Sequence, residues 1–327
     1  MSEKIAIVGT GGTFAMEARH AFDWVEYGEG GVVRPIADLL DGATAGLDVA
    51  LQPVDFRALG STGITLSDWI DLARLVATIE VGCVITHGTA TLEETAFFLS
   101  LVHRGDRPVV LTGAQRPANS AGSDALPNLR SAIAVAASPV ARGAGVLVVI
   151  DNMIFAARDV TKESSGALDA FVAPEFGPLG RVEADGSVRF RRVAPPSAPA
   201  IDLTRAIAPS AVTLPRVDIA YSYAGADGTA IDAFVAAGAR GIVSAGLLPG
   251  RPANGEARAL AAAAAAGLFV IQGTRGGRGN VVPQAFLDRA GMIAGGDLSP
   301  QKLRIVAMLV LSAGGSLSDL RDVIGTI

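Results

Sequence analysis

The chain is 327 residues long, half of it hydrophobic, with aromatics at only 5% and a formal net charge of −5 at pH 7. That length is long for one core and fits two domains, and the mild, interspersed charge leaves no electrostatic footprint for nucleic acid or anionic lipid. The single Cys83 excludes an intrachain disulfide, has no cysteine partner for a metal site, and reads as a buried structural residue in an apolar run.

The amino terminus, "MSEKIAIVGT", lacks a charged region followed by a long apolar one, and no apolar stretch reaches the roughly 20 residues of a membrane helix. A soluble, cytoplasmic protein with no membrane partner is the expectation. In chain order, "KIAIVG", "DVALQPVDF", "CVITHG", "RPVVLTG" and "AGVLVVID" are short Val/Ile-rich runs that end at Gly, Asp or a hydroxyl. The helical periods "LSDWIDLARLVATI" and "LEETAFFLSLVH" fall between them, so parallel βαβ units are expected. A small hairpin is expected around Asp185 and Gly186, then a linker rich in Pro, Ala and Ser over residues 196–214. The α/β pattern resumes with "RVDIAYSY", "AIDAFVAAG", "RGIVSAG", "EARALAAAAAAG", "LFVIQG" and a last helix, "SPQKLRIVAMLVLSAG". The predicted architecture is an amino-terminal α/β domain over residues 1–195 and a smaller carboxyl-terminal α/β domain over 215–327. In open parallel sheets ligands gather beyond the carboxyl ends of strands, so the informative residues are those that follow the strands.

The first such place is "VGTGGTFAM", residues 8–16. A dinucleotide loop wants a third glycine where Phe14 stands, and a P-loop wants Gly-Lys-Ser/Thr. Both nucleotide readings fall. Two remain: a glycine turn that presents Thr10 and Thr13 with N–H groups freed near Gly11 and Gly12 to hold an oxyanion, or a tight turn whose hydroxyls satisfy local backbone. The second place holds Thr89 after His87 and Gly88. The third is "AARDVTKESS", whose Lys162, if neutral, is able to take a proton from a threonine hydroxyl, or else is a solvated surface charge. His87 reads as a metal ligand, a general base or a turn-stabilising residue, and His20 and His103 give it no metal-ligand spacing. No Gly-x-Ser-x-Gly elbow is present.

Several of these segments together resemble the bacterial-type L-asparaginase family, which includes asparaginase-glutaminases. "GTGGTFA" and "THGTATLEETAFFL" are similar to its two signatures. "PVVLTGAQRP", "SDALPNLRSAI", "GVLVVID", "AARDVTKESS", "FGPLGRV", "GIVSAG" and "LSPQKLRI" follow in the family's order over nearly the whole chain. The resemblance implies a two-domain α/β amidohydrolase acting on a small-molecule amide, with no cofactor, assembled as a homotetramer whose sites are completed across an intimate pair of subunits. It implies that Thr13 is the nucleophile, that Tyr27 in "DWVEYGEGG" is the tyrosine of a mobile lid, and that Thr89 and Lys162 relay a proton or activate water. Ser61 in "ALGSTGI" would hold a substrate carboxylate, with Gly12, Thr62, Gly88 and residue 90 around it. Arg116 and Asp124 read as packing and ion-pair residues beside the site. Arg19, Glu26 and Glu29 of the lid are either substrate contacts or parts of a solvated loop.

The chain departs from the family pattern on one task. The resemblance implies an aspartate at position 90, which would hold a substrate ammonium group and pair with the lysine. Here the residue is Ala90, which does neither. Thr62 stands where a glutamine is expected, "RGNVVPQAFL" offers no acid, and "LLPGRPAN" places Arg251, or alternatively Asn254, where an asparagine is expected. Burying an ammonium without a charged partner is costly. Three explanations stay open: a disabling change in an L-asparaginase, the same amide chemistry on a substrate without a free α-amino group, or a relative that binds a small molecule without turnover.

Overall fold

A computed structural model describes residues 3–193 and 201–327. The chain divides into two compact units, Met1–Pro196 and Ser197–Ile327.

The first unit is built on an eight-stranded sheet. Its strands are β1 (Glu3–Gly11), β2 (Val49–Leu59), β3 (Gly82–Thr86), β4 (Val109–Thr112), β5 (Val146–Ile150), β6 (Met153–Ala156), β9 (Gly180–Val182) and β10 (Val188–Phe190), ordered β10-β9-β6-β5-β4-β3-β1-β2. From β2 to β5 all neighbours pair parallel; β6, β9 and β10 extend the sheet antiparallel. The expected hairpin is β9–β10, with Gly186 at φ 84° in its turn, a backbone angle that favours glycine. A separate two-stranded ribbon pairs β7 (Thr161–Lys162) with β8 (Phe171–Val172).

Why these strands are nearly continuous in apolar residues follows from burial on both faces. On one face Ile5, Ile7, Val84, Val110, Leu147 and Val149 form a core with Leu129 and Ile133 of helix α3 (Ala125–Ala137). Val8, Ile85, Leu111 and Val148, which alternate with them, are equally buried, as period-2 side chains of a covered strand must be. Cys83 is buried within β3. Helix α1 (Leu66–Ala77) starts at a capping box, with Thr65 and Asp68 bonding each other's backbone N–H. Helix α2 (Leu92–Val102) begins with Glu93 and Glu94, acids favoured at a helix's positive end.

The second unit has four parallel strands in the order β11 (Val217–Tyr221), β12 (Gly241–Gly246), β13 (Phe269–Thr274), β14 (Ile293–Ala294). Its helices are α4 (Thr229–Ala236), α5 (Ala257–Ala265), α6 (Ala285–Ala290), α7 (Pro300–Ser312) and α8 (Leu317–Thr326). Ile231, Ile242, Leu260, Val270 and Leu287 form its core. The helix expected to be last, α7, is followed by α8, which opens on a second capping box, Ser316 with Asp319. Of the stretch 196–214, residues 196–200 lie outside those described; the rest contains a 3-10 turn, Leu203–Ile207, whose Leu203 and Ala206 are buried. Among the described residues no helix is long and apolar enough to cross a membrane.

Candidate active site

The parallel pairing of β1 with β3 sets Gly9 beside Thr86, so the turns that follow the two strands emerge side by side. They touch through glycines. A Cβ on Gly12 would lie 2.4 Å from the Cα of Gly88, and one on Gly88 would lie 2.1 Å from the Cβ of Ser61. Three chain segments therefore meet where only hydrogen fits. Gly11 and Gly12 take φ of 99° and 73°, and the Gly12 N–H donates to Leu59 O at 2.7 Å. Thr91 Oγ1 donates to Ser61 O at 2.8 Å. Gly113 leaves room for the Thr89 methyl, 3.0 Å from where its own Cβ would stand.

Two threonine hydroxyls reach this junction, and each has a partner able to move a proton. Thr13 Oγ1 lies 2.7 Å from the Tyr27 hydroxyl, and Lys162 Nζ donates to Thr89 Oγ1 at 2.9 Å. Both threonines are buried. Lys162 is held from behind, because its backbone N–H donates to the Glu93 carboxylate at 2.5 Å. Burial pushes the Lys162 ammonium below the usual lysine range, against the opposing pull of Asp124 and Glu93. Thr10 does not join the site: its buried hydroxyl donates to Thr86 O at 2.9 Å and ties β1 to β3. Of the two hydroxyls, Thr10 serves the backbone of the neighbouring strand and Thr13 faces the junction.

Tyr27 belongs to an excursion closed at its base by the Met16–Val33 bridge. The excursion is tied down at several points. Asn119 grips Ala18 with both ends of its amide, accepting from its N–H and donating to its carbonyl, each at 2.8 Å. The Ala121 N–H donates to Ala21 O at 2.7 Å, and the Arg116 guanidinium lies 4.0 Å over the Trp24 ring. Arg19 pairs with Asp23 at 2.8 Å and with Glu26 at 2.6 Å. That network raises the Arg19 pKa and lowers that of Asp23. Arg19 and Glu26 thus pair with each other within the loop, and Glu29 is solvent-exposed.

The ion-pair reading of Arg116 and Asp124 also changes. Asp124 accepts from the Gln115 and Arg116 backbone N–H groups and from Asn128 Nδ2, while the Arg116 side chain turns to Trp24 and Gly122 O. Backbone donors lie nearer the carboxylate than the long guanidinium does. Ser61 is half-buried beside Gly88, Thr62 is exposed, and Ala90 is an exposed methyl next to Thr89. In the second unit Arg251 is exposed and lies over the Phe286 ring at 4.8 Å, and Asn254 is exposed. Among the described residues no group of three His, Cys, Asp or Glu side chains converges to hold a metal ion.

Sequence reasoning passed over Glu93, Asn119 and Asn128. Glu93 lies in the first turn of α2, and only the arrival of β7 gives it a second task. Asn128 donates to Gly113 O and accepts from the Asp151 N–H, contacts no local pattern announces.

Comparison with known proteins places this geometry in context. The family model "Asparaginase, N-terminal" matches residues 4–195, and "Glutaminase/Asparaginase C-terminal domain" matches 216–324. L-asparaginase 2 of Bacillus subtilis (strain 168) is 35% identical over 314 residues, covering 94% of this chain and 82% of the relative. A glutaminase-asparaginase of Pseudomonas fluorescens is 34% identical over 317 residues, covering 94% and 86%. The crystal structure of a probable cytoplasmic L-asparaginase from Campylobacter jejuni superposes with a TM-score of 0.90 at 32% identity, covering 99% of this chain and all of that one.

Proposed function

The chain belongs to the asparaginase family, and from that premise we propose that it hydrolyses a small carboxamide with Thr13 as nucleophile, on a substrate that lacks a free α-ammonium group. The observation that carries the chemistry is the pair of proton-moving contacts, Thr13 with Tyr27 at 2.7 Å and Thr89 with Lys162 at 2.9 Å. Thr13 Oγ attacks the amide carbon as its proton passes by way of Tyr27 to the amide nitrogen, and the C–N bond breaks with ammonia or an amine leaving. Water then hydrolyses the ester on Thr13, its proton taken up through Thr89 and Lys162 and returned to Thr13 Oγ as the C–O bond breaks. Ser61 holds a substrate carboxylate in a pocket shared with Gly12, Thr62 and Gly88.

Ala90 supports the altered substrate. It presents a methyl beside Thr89, and of the acids near Lys162, Glu93 is engaged with the lysine's backbone and Asp124 with backbone N–H groups. A charge-assisted hydrogen bond is worth about 1.5–3 kcal/mol, so its loss weakens an α-amino substrate by about 10- to 100-fold. Without a carboxylate at position 90, Lys162 also gives up its proton more readily, which suits a base. A homotetramer in the cytoplasm is part of the same proposal, to be checked by light scattering and fractionation.

The test is ammonia release from L-asparagine, L-glutamine and succinamate, with Ala90→Asp assayed in parallel. Turnover of succinamate but not asparagine is the expected result. Activity that appears only in the Ala90→Asp protein would mean a disabled L-asparaginase instead, and binding of amides without turnover in either protein would mean a non-catalytic relative.

A further inference from the structure

His87 is buried, and the catalytic steps above give it no task. Its Nδ1 lies 2.9 Å from Gly88 O, and its Nε2 lies 3.0 Å from Thr95 Oγ1. Thr95 in turn accepts from Trp69 Nε1 at 2.8 Å. His87, Thr95 and Trp69 are all buried. The proton arrangement follows from these partners together with burial. A carbonyl oxygen only accepts, so His87 Nδ1 carries a proton and donates to Gly88 O. An indole N–H only donates, so the Thr95 hydroxyl accepts from Trp69 with one of its two lone pairs, which leaves Nε2 either accepting from that hydroxyl or donating to it. Burial decides between the two: it pushes the His87 pKa down to about 4, so the ring is neutral at pH 7, the proton on Nδ1 is the one it carries, and Nε2 accepts from Thr95.

The consequence lies on the other side of the Gly88–Thr89 peptide. In a trans peptide the C=O and N–H point in opposite directions, so the bond that fixes Gly88 O toward the imidazole turns the Thr89 N–H away from it. Among the described residues that N–H makes no hydrogen bond, although Thr89 is only 5% exposed. A backbone donor in so buried a residue without a partner is uncommon, and it sits beside the hydroxyl that Lys162 touches.

We infer that His87 is a positioning residue: with Thr95 and Trp69 behind it, it fixes the Gly88–Thr89 peptide so that the Thr89 N–H is presented to the oxyanion formed on the substrate. The inference rests on the proposed amide hydrolysis for what the N–H binds, while the proton arrangement stands independently of it. Thr95 and Trp69 act only through His87. A donor aimed at a developing oxyanion acts on kcat rather than on KM.

The experiment has two arms. Long-range 1H–15N spectra of the labelled protein at neutral pH are expected to show His87 neutral with its proton on Nδ1; an Nε2–H tautomer or an imidazolium would overturn the inference whatever the activity. In the second arm, Thr95→Val removes the donor to Nε2 and Thr95→Ser keeps it. Succinamate turnover is expected to lose about tenfold or more in kcat with KM within about twofold in Thr95→Val, and to return to within about twofold of the parent in Thr95→Ser. A folded Thr95→Val protein with parental kcat and a displaced Trp69 indole resonance would overturn it. If Thr95→Val fails to fold, Thr95→Ala takes its place. A parent protein that turns over no amide counts against the proposed hydrolysis, and the tautomer then decides this inference alone.

Discussion

Lys162 Nζ donates to Thr89 Oγ1 across 2.9 Å although 73 positions separate the two residues. The contact depends on two supports: the β7–β8 ribbon that carries the lysine, and Glu93, which takes the lysine's backbone N–H. A short side chain at the end of β3 thereby meets a long one whose ammonium has been partly removed from water.

Replacing that lysine tests the pair directly. Lys162→Met keeps the length of the side chain and removes the proton acceptor. The expected loss is about 10²- to 10⁴-fold in kcat on succinamate with KM little changed, read by steady-state ammonia release. Parental kcat in the variant would remove Lys162 from the reaction.

The pH profile gives a second check. A lysine acting as a base works in its neutral form, so activity rises as pH climbs through its pKa. Burial lowers that pKa, placing the rising limb of kcat/KM below the ordinary lysine range. A new carboxylate beside the ammonium favours the charged form, so the limb of Ala90→Asp is expected to move to higher pH. A profile that stays in place would show that position 90 does not sense Lys162.

Tyr27→Phe removes one hydroxyl and leaves the ring that rests in the loop. Because the contact with Thr13 is the only one of that hydroxyl among the described residues, the expected loss is about 10²-fold in kcat at unchanged thermal stability. A loss confined to KM would make Tyr27 a binding residue.

Gly88→Ala places a methyl 2.1 Å from the Ser61 Cβ and 2.6 Å from its Cα. Backbone has to move to accommodate it, and overpacking of this kind costs about 3 kcal/mol. Denaturant titration is expected to show that loss together with loss of turnover, since the contact holds Ser61 beside Thr89's loop. A variant as stable as the parent would mean the segments part easily.

Stability is also expected to fall in mild acid. His87 stays neutral in the folded protein down to about pH 4, whereas in the unfolded chain it takes up a proton near about pH 6.5. Between those values the unfolded state binds more protons, so stability decreases as pH falls, by up to about 1.4 kcal/mol per pH unit for this one group. His103, likewise lowered by burial, acts in the same direction. Urea midpoints at pH 7, 6 and 5 measure the slope, and His87→Gln is expected to flatten it; an unchanged slope would assign the effect to other groups.

The sequence by itself determined the elements and where the chemistry would gather. Val/Ile runs ending at Gly or Thr specify buried parallel strands, and the glycines at 11 and 12 already announce a turn that only they adopt, because these preferences are local and act over a few residues. The two signatures likewise pointed to Thr13 and Thr89, and the segment "AARDVTKESS" to Lys162. Tertiary structure alone decided what each of these groups touches. Thr10 and Thr13 stand three positions apart, at the end of β1 and in the turn after it, yet one bonds the neighbouring strand and the other a tyrosine on a folded-back loop. Arg19 read as either a substrate contact or part of a solvated loop, and the ion pairs it makes with Asp23 and Glu26 became visible only in the folded loop. The proton on His87 could not be placed until its burial and its contact with Gly88 O were seen. Such partners depend on the register between strands and on which loops return over them, and a hydrogen bond is specified by geometry of a few tenths of an ångström that no local pattern encodes.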